Sequence, residues 1–173
     1  HFDAKTEQVV GRSRLLYHAL VLDESVTREV RGQDVQRVLV DAAIEAGFGA
    51  FCDEDELASL RARSDFAMKH GGPELDLSEA TLHRILSEAA QGCRGFSELR
   101  EMRPLELMKS RLGLDVIRGL DRFAPISVTV GARRQIRVNY EAGKDPWIAS
   151  RLQDFFGLAD GPRVAEGRVP LVL

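Results

Sequence analysis

Two short runs in the last third of the chain alternate apolar and polar residues, and a basic turn separates them. The apolar positions are Ile126, Val128, Val130, Ile136, Val138 and Tyr140. The turn between the runs is Gly131–Arg134. Because successive side chains of a strand point to opposite faces of a sheet, this pattern predicts an antiparallel hairpin with one buried face and one wet face.

The preceding residues, 33–123, carry apolar side chains at three- and four-residue spacing, which is typical of amphipathic helices. Gly47 can end the first helix, and Gly71–Pro73 can stop the second. The apolar face of the second helix is predicted to hold Leu57, Leu60, Ala67 and Met68. We expect Asp76 to cap the third helix, with Glu79 three residues later completing a reciprocal capping pattern.

After the hairpin, the sequence predicts one more helix and one more strand. Asp145 supplies a cap, Pro146 occupies the first helical position, and Gly157 ends the helix. The closing residues Val169–Leu173 are mostly apolar and predict a strand. A bare apolar strand would leave an edge that invites aggregation, so we expect the sequence to be a fragment of a longer protein.

The first 30 residues are rich in β-branched and aromatic side chains and predict a strand pair. The expected fold class is therefore α+β, in three segments. Residues 1–30 would hold the N-terminal strand pair, residues 31–125 the helical region, and residues 126–173 the C-terminal hairpin–helix–strand unit.

Charge is distributed unevenly along the 173 residues, whose net charge is −3. Residues 1–108 hold 13 Lys and Arg against 20 Asp and Glu, a balance of −7, and residues 109–173 hold 11 against 7, a balance of +4. This split is consistent with a C-terminal part that faces an anionic partner. A surface fluctuation, or a positive face that docks on an acidic one, would give the same numbers.

The basic residues of the C-terminal part are the candidate binding residues. Arg133 and Arg134 lie in the predicted turn, and Arg137 points away from the apolar face of its strand. Guanidinium groups pair bidentately with phosphates, and a hairpin would hold them at regular spacing. The alternative is that these arginines have no binding role, since arginine is common on the solvent-exposed faces of strands. The candidate nucleic-acid-binding residues are Arg133, Arg134, Arg137, Lys144 and Arg151, which Arg163 and Arg168 could join.

Two aromatic residues lie at the end of the hairpin and just after it. Tyr140 or Trp147 could stack a nucleobase beside the arginines. A place in the hydrophobic core is the alternative interpretation, and it is the more usual one for a tryptophan.

No catalytic or metal-binding pattern is visible. The acidic run Asp53–Glu56 superficially resembles the magnesium-binding box of helicases, but the sequence lacks the glycine-rich phosphate loop that such a box requires. The run better fits the first turn of a helix, where negative charge is favourable. Neither zinc-ligand spacing nor a nucleophile signature surrounds His18, His70, His83, Cys52 or Cys93.

The cysteine and hydropathy patterns bear on the cellular compartment. A disulfide between Cys52 and Cys93 is one alternative, but two cysteines without a pattern better fit a reduced, cytoplasmic chain. No run approaches the roughly 18 apolar residues that span a bilayer. We therefore expect a cytoplasmic protein with no membrane partner.

Four segments near the C-terminus follow one another in a recognisable order. They are Leu120–Pro125, a hairpin ending in Asn139 and Tyr140, Ala149–Gly157 and Glu166–Leu173. Together they resemble the C-terminal region of bacterial HrpB-type ATP-dependent helicases of the DEAH class. Weaker matches upstream are Phe2–Glu24, Asp76–Leu82 and Phe96–Arg100. The family usually carries a Pro-Ser/Thr-Gly turn where this sequence has Val130–Arg134, so the resemblance is to a divergent member.

The resemblance implies a helicase accessory region. In that class, two ATPase domains precede winged-helix, helical and oligonucleotide/oligosaccharide-binding (OB) modules. Residues 1–30 would be part of the OB-like module, and the rest would run into the family's C-terminal domain. ATP and Mg²⁺ would bind in the upstream ATPase domains of the parent helicase, and no cofactor is expected in this fragment.

The sequence leaves two functions open. As a non-catalytic accessory region, the chain would help to hold single-stranded RNA or DNA beside the ATPase core through sequence-independent phosphate contacts. As a protein-interaction or bracing module, it would contact no nucleic acid, and the acidic N-terminal half favours this alternative.

Overall fold

The structure, a computed structural model, describes residues 1–17, 20–27, 32–130, 134–155 and 161–172. Its α-helices are α1 (Gln33–Ala46), α2 (Glu54–Lys69), α3 (Glu79–Ala89), α4 (Phe96–Glu101), α5 (Pro104–Leu112) and α6 (Leu114–Phe123). Short 3₁₀ helices cover Phe48–Phe51 and Leu152–Phe155. The strands are β1 (Phe2–Asp3), β2 (Gln8–Val9), β3 (Gly11–Tyr17), β4 (Leu20–Thr27), β5 (Ser127–Val130), β6 (Arg134–Asn139), β7 (Trp147–Ile148), β8 (Arg163–Val164) and β9 (Val169–Pro170). Helices with small antiparallel sheets confirm the predicted α+β class.

The chain divides into two compact units, each assembled from two stretches of sequence. The first unit comprises His1–Glu54 and Leu77–Met108, and the second comprises Asp55–Asp76 and Lys109–Leu173. The boundaries expected after residues 30 and 125, and the OB-like character of the first segment, stay predictions.

In the first unit, the predicted strand pair is present as two hairpins. β1 pairs with β2, and the carboxylate of Asp3, the last residue of β1, accepts hydrogen bonds from the backbone N–H of Lys5 (3.0 Å) and the hydroxyl of Thr6 (3.0 Å) in the turn. This local bonding is what makes Asp a turn residue. β3 pairs antiparallel with β4, with a register irregularity between Leu15 and Leu16.

The helices of the first unit bury the faces that their spacing predicted. Leu39 and Ala43 of α1 and Ile85 and Leu86 of α3 have no exposed surface. α1 ends at Ala46 and is followed by a glycine in the left-handed region, as the sequence indicated.

The cap of α3 is Ser78, and the prediction that Asp76 caps this helix is wrong. The Ser78 hydroxyl accepts a hydrogen bond from the backbone N–H of Thr81 (3.4 Å). Because α3 begins at Glu79, the residue directly before it is the one placed to reach the first free N–H groups.

An aromatic cluster joins β1 to α4 in the same unit. The Phe2 and Phe96 ring centroids are 4.5 Å apart, and Phe51 meets Phe96 edge-on at 4.8 Å. Arg100 lies over the Phe51 and Phe96 rings and donates two hydrogen bonds to the Glu7 carboxylate, at 2.7 and 3.1 Å. These hydrogen bonds hold the pKa of Glu7 below its usual value.

The second unit is built around α2, α6 and a three-stranded sheet in the order β5-β6-β7. Phe66 of α2 is its centre, with ring centroids 5.1 Å from Tyr140 and 6.4 Å from Phe123. Leu120 of α6 is fully buried, and Ile148 of β7 is 1% exposed. The hairpin β5–β6, predicted from its period-two pattern, is confirmed.

The helix predicted between Asp145 and Gly157 is wrong over the described residues. Trp147 and Ile148 instead form β7, which pairs with Asn139 and Val138 of β6. On its other side, Ile148 donates to the carbonyl of Val172 (2.9 Å). Sheet pairing on both sides therefore overrides the local Asp-Pro cap signal, and only the short 3₁₀ helix Leu152–Phe155 follows.

The closing apolar segment forms a strand, as predicted. β9 pairs with β8 through Arg163 opposite Pro170 and Val164 opposite Val169. Val172 then lies beside Trp147 in a parallel bridge. None of the described helices is both long enough and apolar enough to span a bilayer.

Candidate nucleic-acid interface

The hairpin β5–β6 presents one polar face, which we call the Arg137 face. Ser127 lies opposite Arg137 in the strand register, and Thr129 lies opposite Gln135. Residues that are paired across two strands share a face of the sheet, so these four side chains lie together. Arg137 is exposed, and no carboxylate in the described part of the chain pairs with its guanidinium.

Arg134 lies on the opposite face of the hairpin, so the structure does not bring it together with Arg137. It is the first residue of β6 rather than part of the turn, and it has the same parity as the buried Ile136 and Val138. Its guanidinium pairs with the Asp154 carboxylate at 3.1 Å. Arg133, the other arginine predicted in the turn, lies outside the described residues.

The Asp154 carboxylate accepts three hydrogen bonds, which hold the segment after β7 in place. Its carboxylate accepts hydrogen bonds from the Ser150 hydroxyl, the backbone N–H of Arg151 (3.2 Å) and the Arg134 guanidinium (3.1 Å). The bond from Ser150, followed by the Arg134 charge, holds the pKa of Asp154 below its usual value. The side chain of Arg151 itself is exposed and, within the described residues, has no carboxylate partner.

Lys144 is engaged locally, in the loop that follows β6. Its ammonium donates to Glu141 at 2.6 Å, and the indole N–H of Trp147 donates to the same carboxylate at 2.9 Å. These two hydrogen bonds hold the pKa of Glu141 below its usual value, with the Lys144 bond as the larger cause. Trp147 is half-buried in this loop, and its indole N–H is already engaged in the hydrogen bond to Glu141.

Tyr140 is a structural residue at the end of β6. Its hydroxyl donates to the carbonyl of Pro125 (2.9 Å), and its ring packs on Phe66. Burial raises the pKa of Tyr140, against an opposing effect of the nearby Arg63 charge. The ring face of Tyr140 that could stack on a base is therefore largely covered by contacts within the unit.

Two neighbouring hollows lie between α2 and the segment 137–144. The first, of about 330 Å³, has Asp55 and Ser59 on the helix side and Arg137, Asn139 and Tyr140 on the strand side. The second, of about 290 Å³, is lined by Asp65, Phe66, Lys69, His70, Gly143 and Lys144, among others. Ala62 and Glu141 border both hollows. The second hollow mixes carboxylates with ammonium groups, so it has no single sign of charge.

The remaining C-terminal arginines are engaged at the turn between β8 and β9. Arg168 lies over the Phe123 ring (5.6 Å), donates to the carbonyl of His70 (3.4 Å) and pairs with Glu166 (2.7 Å). Arg163 donates to the carbonyl of Gly167 (3.4 Å). These contacts stabilise the turn, and neither arginine is itself among the residues that line the two hollows.

Arg63, the principal structural residue that sequence reasoning missed, is a buried cation on α2 with 4% exposure. It donates from Nε to the carbonyl of Ala124 (2.6 Å) and pairs with Asp121. A signal was present, since Arg63 follows Leu60 by three residues on the apolar face. Met68, which was predicted for that face, is 60% exposed.

The described residues contain no group of three or more His, Cys, Asp or Glu side chains arranged to hold a metal ion. Within the described residues no disulfide joins Cys52 to Cys93, and burial raises the pKa of the Cys93 thiol.

The chain belongs to the HrpB-type helicase family, since residues 85–173 match the family model described as ATP-dependent helicase C-terminal. It is similar to the ATP-dependent RNA helicase HrpB of Escherichia coli K12, with 35% identity over 82 residues. That match covers 46% of this chain and 10% of the relative's length.

Two solved structures share the fold. The crystal structure of the Escherichia coli DEAH/RHA helicase HrpB matches 99% of this chain with a TM-score of 0.71 and 24% identity. A crystal structure of the Escherichia coli DExH-box NTPase HrpB matches 98% with a TM-score of 0.70 and 19% identity. The match covers 23% of the first solved chain and 24% of the second. Residues 85–173 therefore correspond to the C-terminal region of this family, and the chain spans only a small part of the length of the proteins that it matches.

Proposed function

We propose that this chain is a non-catalytic accessory region that holds single-stranded nucleic acid beside the ATPase domains of an HrpB-type helicase. The observation that carries the proposal is the exposed Arg137 guanidinium on a polar hairpin face, without a carboxylate partner among the described residues. Such a guanidinium can pair bidentately with a phosphate without first breaking an existing ion pair.

The charge balance of the two units supports the same location. Residues 55–76 carry 3 basic and 5 acidic side chains, so moving them to the C-terminal part changes its balance from +4 to +2. The first unit is then left at −5, and the two units sum to the net charge of −3. A nucleic-acid strand would therefore meet less repulsion at the second unit than at the first.

ATP and Mg²⁺, in this proposal, act in ATPase domains that lie outside this sequence. The parent protein would work in the cytoplasm, and ATP hydrolysis there would drive the strand past the accessory region. The curated relative is named an RNA helicase. This name favours RNA over DNA as the bound strand.

Fluorescence anisotropy with labelled single-stranded RNA and DNA, over a salt series, tests the proposal. We expect micromolar binding whose logarithm falls with the logarithm of salt at a slope of roughly −0.7 for each phosphate contacted. Changing Arg133, Arg134 and Arg137 together to Glu should abolish binding while circular dichroism shows an unchanged fold.

The matched control changes three exposed arginines of the first unit, Arg84, Arg94 and Arg103, to Glu. This variant carries the same change in net charge and should retain binding. If both triple variants lose binding equally, only the net charge matters, and the hairpin has no special role.

A protein-interaction or bracing module is the second candidate. It is favoured by the ion pairs that already engage Arg134 with Asp154 and Lys144 with Glu141. Absence of wild-type binding to either oligonucleotide at about 50 mM salt, where phosphate contacts are strong, would select this candidate.

A further inference from the structure

The hollow of about 330 Å³ beside Arg137 has the size of a site for one small ligand. Binding pockets for small molecules span roughly 300–1,000 Å³, so this hollow stands at the lower end of the range. It can accept one nucleotide of a strand but not a stack of bases. Its walls come from one helix and one strand of the same compact unit, so both sides are held by regular structure.

The polar groups of this hollow are arranged as two different ends. Arg137 provides a cation that lacks a carboxylate partner in the described residues, and Asn139 provides an amide beside it. On the helix side, Asp55 and Ser59 provide a carboxylate and a hydroxyl. A bare anion would find one favourable end and one repulsive end here, whereas a nucleotide has a phosphate for the cation and base amino groups for the carboxylate.

The other candidate cations are less available at this place. Arg134 lies on the opposite face of the hairpin and pairs with Asp154, and Lys144 pairs with Glu141 in the neighbouring loop. Glu141 also borders the hollow, but Lys144 offsets its charge, and Lys144 and the Trp147 indole each donate to one of its oxygens. Of the two carboxylates that line this hollow, Asp55 is therefore the one available to accept a hydrogen bond from a base.

We infer that this hollow binds a single nucleotide of the strand, with its phosphate on Arg137 and a base amino group on Asp55. The inference rests on the proposed function, which it deepens by naming the site and a base preference. Cytosine, adenine and guanine carry exocyclic amino groups that can donate a hydrogen bond to a carboxylate, and uracil and thymine carry none. The site therefore favours the amino-bearing bases.

Two substitutions test the two ends separately, in the full chain and with short single-stranded oligo(C) and oligo(U) RNA as probes. Arg137→Gln should weaken binding of both probes by about tenfold, because one phosphate contact is lost. Arg122→Gln is the matched control, since Arg122 is exposed on α6 and does not line the hollow. It should bind both probes like the wild type.

Asp55→Ala gives results of opposite sign for the two interpretations of the carboxylate. If Asp55 accepts a hydrogen bond from a base, oligo(C) binding falls several-fold relative to oligo(U) binding. If Asp55 only repels the strand, removing it strengthens the binding of both probes equally, and the base preference is overturned.

The outcomes also separate this inference from the function on which it rests. If the Arg137→Gln variant binds as tightly as the wild type, the single-nucleotide site is overturned and the accessory function stands. Absence of any wild-type binding at low salt removes the proposed function and this site with it. The expected weakening in Arg137→Gln, together with the selective effect of Asp55→Ala, supports both.

Discussion

Arg63 is a buried cation of the second unit, and its hydrogen bonds link two helices of that unit. Its guanidinium supplies donors to the carbonyl of Ala124, the residue that caps the C-terminal end of α6, and to the Asp121 carboxylate. A cation at the C-terminal end of a helix also meets the negative end of the helix dipole. One side chain thus joins α2 to the end of α6.

We predict that Arg63→Met destabilises the chain by about 2–4 kcal/mol, because a buried carbonyl and a carboxylate lose their donors together. Urea denaturation followed by circular dichroism measures the loss. Arg61→Met, an exposed change two residues away on the same helix, should have little effect. Equal losses in both variants would show that Arg63 contributes no more than a surface arginine.

Tyr140 gives a prediction that depends on pH. Burial raises its pKa in the folded chain above the ordinary value of about 10. Above that pH, the unfolded chain ionises this tyrosine while the folded chain keeps it neutral, so the stability that it contributes is lost as pH rises.

Tyr140→Phe should therefore cost about 1 kcal/mol at neutral pH, where the Pro125 carbonyl loses its donor. The difference between the two proteins should shrink as pH rises past about 10, since phenylalanine does not ionise. Urea denaturation at neutral and alkaline pH measures both terms. A difference that stays constant with pH would contradict the assignment of a buried neutral hydroxyl.

At the scale of elements, the sequence predicted those that a local pattern determines. The hairpin β5–β6 and the helices α1 to α6 follow from periodicity and from glycine and proline signals. β7 could not be predicted in this way, because Trp147 and Ile148 are placed by partners on β6 and at Val172. A local cap signal cannot report pairing with residues that are distant in sequence.

The candidate site was predictable in part for the same reason. Alternation correctly placed Arg137 on the polar face of the hairpin. The start of β6 could not be fixed from the sequence, so Arg134 was assigned to the turn when it lies on the other face. The hollow beside Arg137 requires α2 to lie against β6, and no local pattern contains that tertiary contact.

The cap of α3 provides a prediction at this scale. Ser78→Ala should lower stability by about 1 kcal/mol, because the Thr81 N–H loses the hydroxyl oxygen that accepts from it. Ser87→Ala makes the same chemical change inside the same helix, where alanine is the better helix former, and should be neutral or slightly stabilising. If the two variants unfold at the same urea concentration, the Ser78 hydroxyl does not act as a cap.

At the scale of the whole molecule, the division into units changes how the charge pattern is interpreted. By position in the sequence, the change of sign lies between residues 108 and 109. Within the structure, 55–76 joins the basic C-terminal part and brings five acidic side chains to it, among them Asp55 and Asp65 of the two hollows. The second unit therefore carries charges of both signs, and the position of each cation matters more for binding than the net charge of the unit.

A footprint of the bound strand tests this interpretation. We predict that titration of the ¹⁵N-labelled chain with a short single-stranded oligonucleotide shifts amide signals within 55–76 and 109–173, with the largest shifts at 135–140 and in the first turns of α2. The first unit, with its balance of −5, should show few shifts, because its field repels phosphates. Raising salt should reverse the shifts together, since all of them report one strand held by phosphate contacts. Shifts spread evenly over both units would indicate non-specific association, and shifts concentrated in 1–54 and 77–108 would place the interface on the unit that the charge balance disfavours.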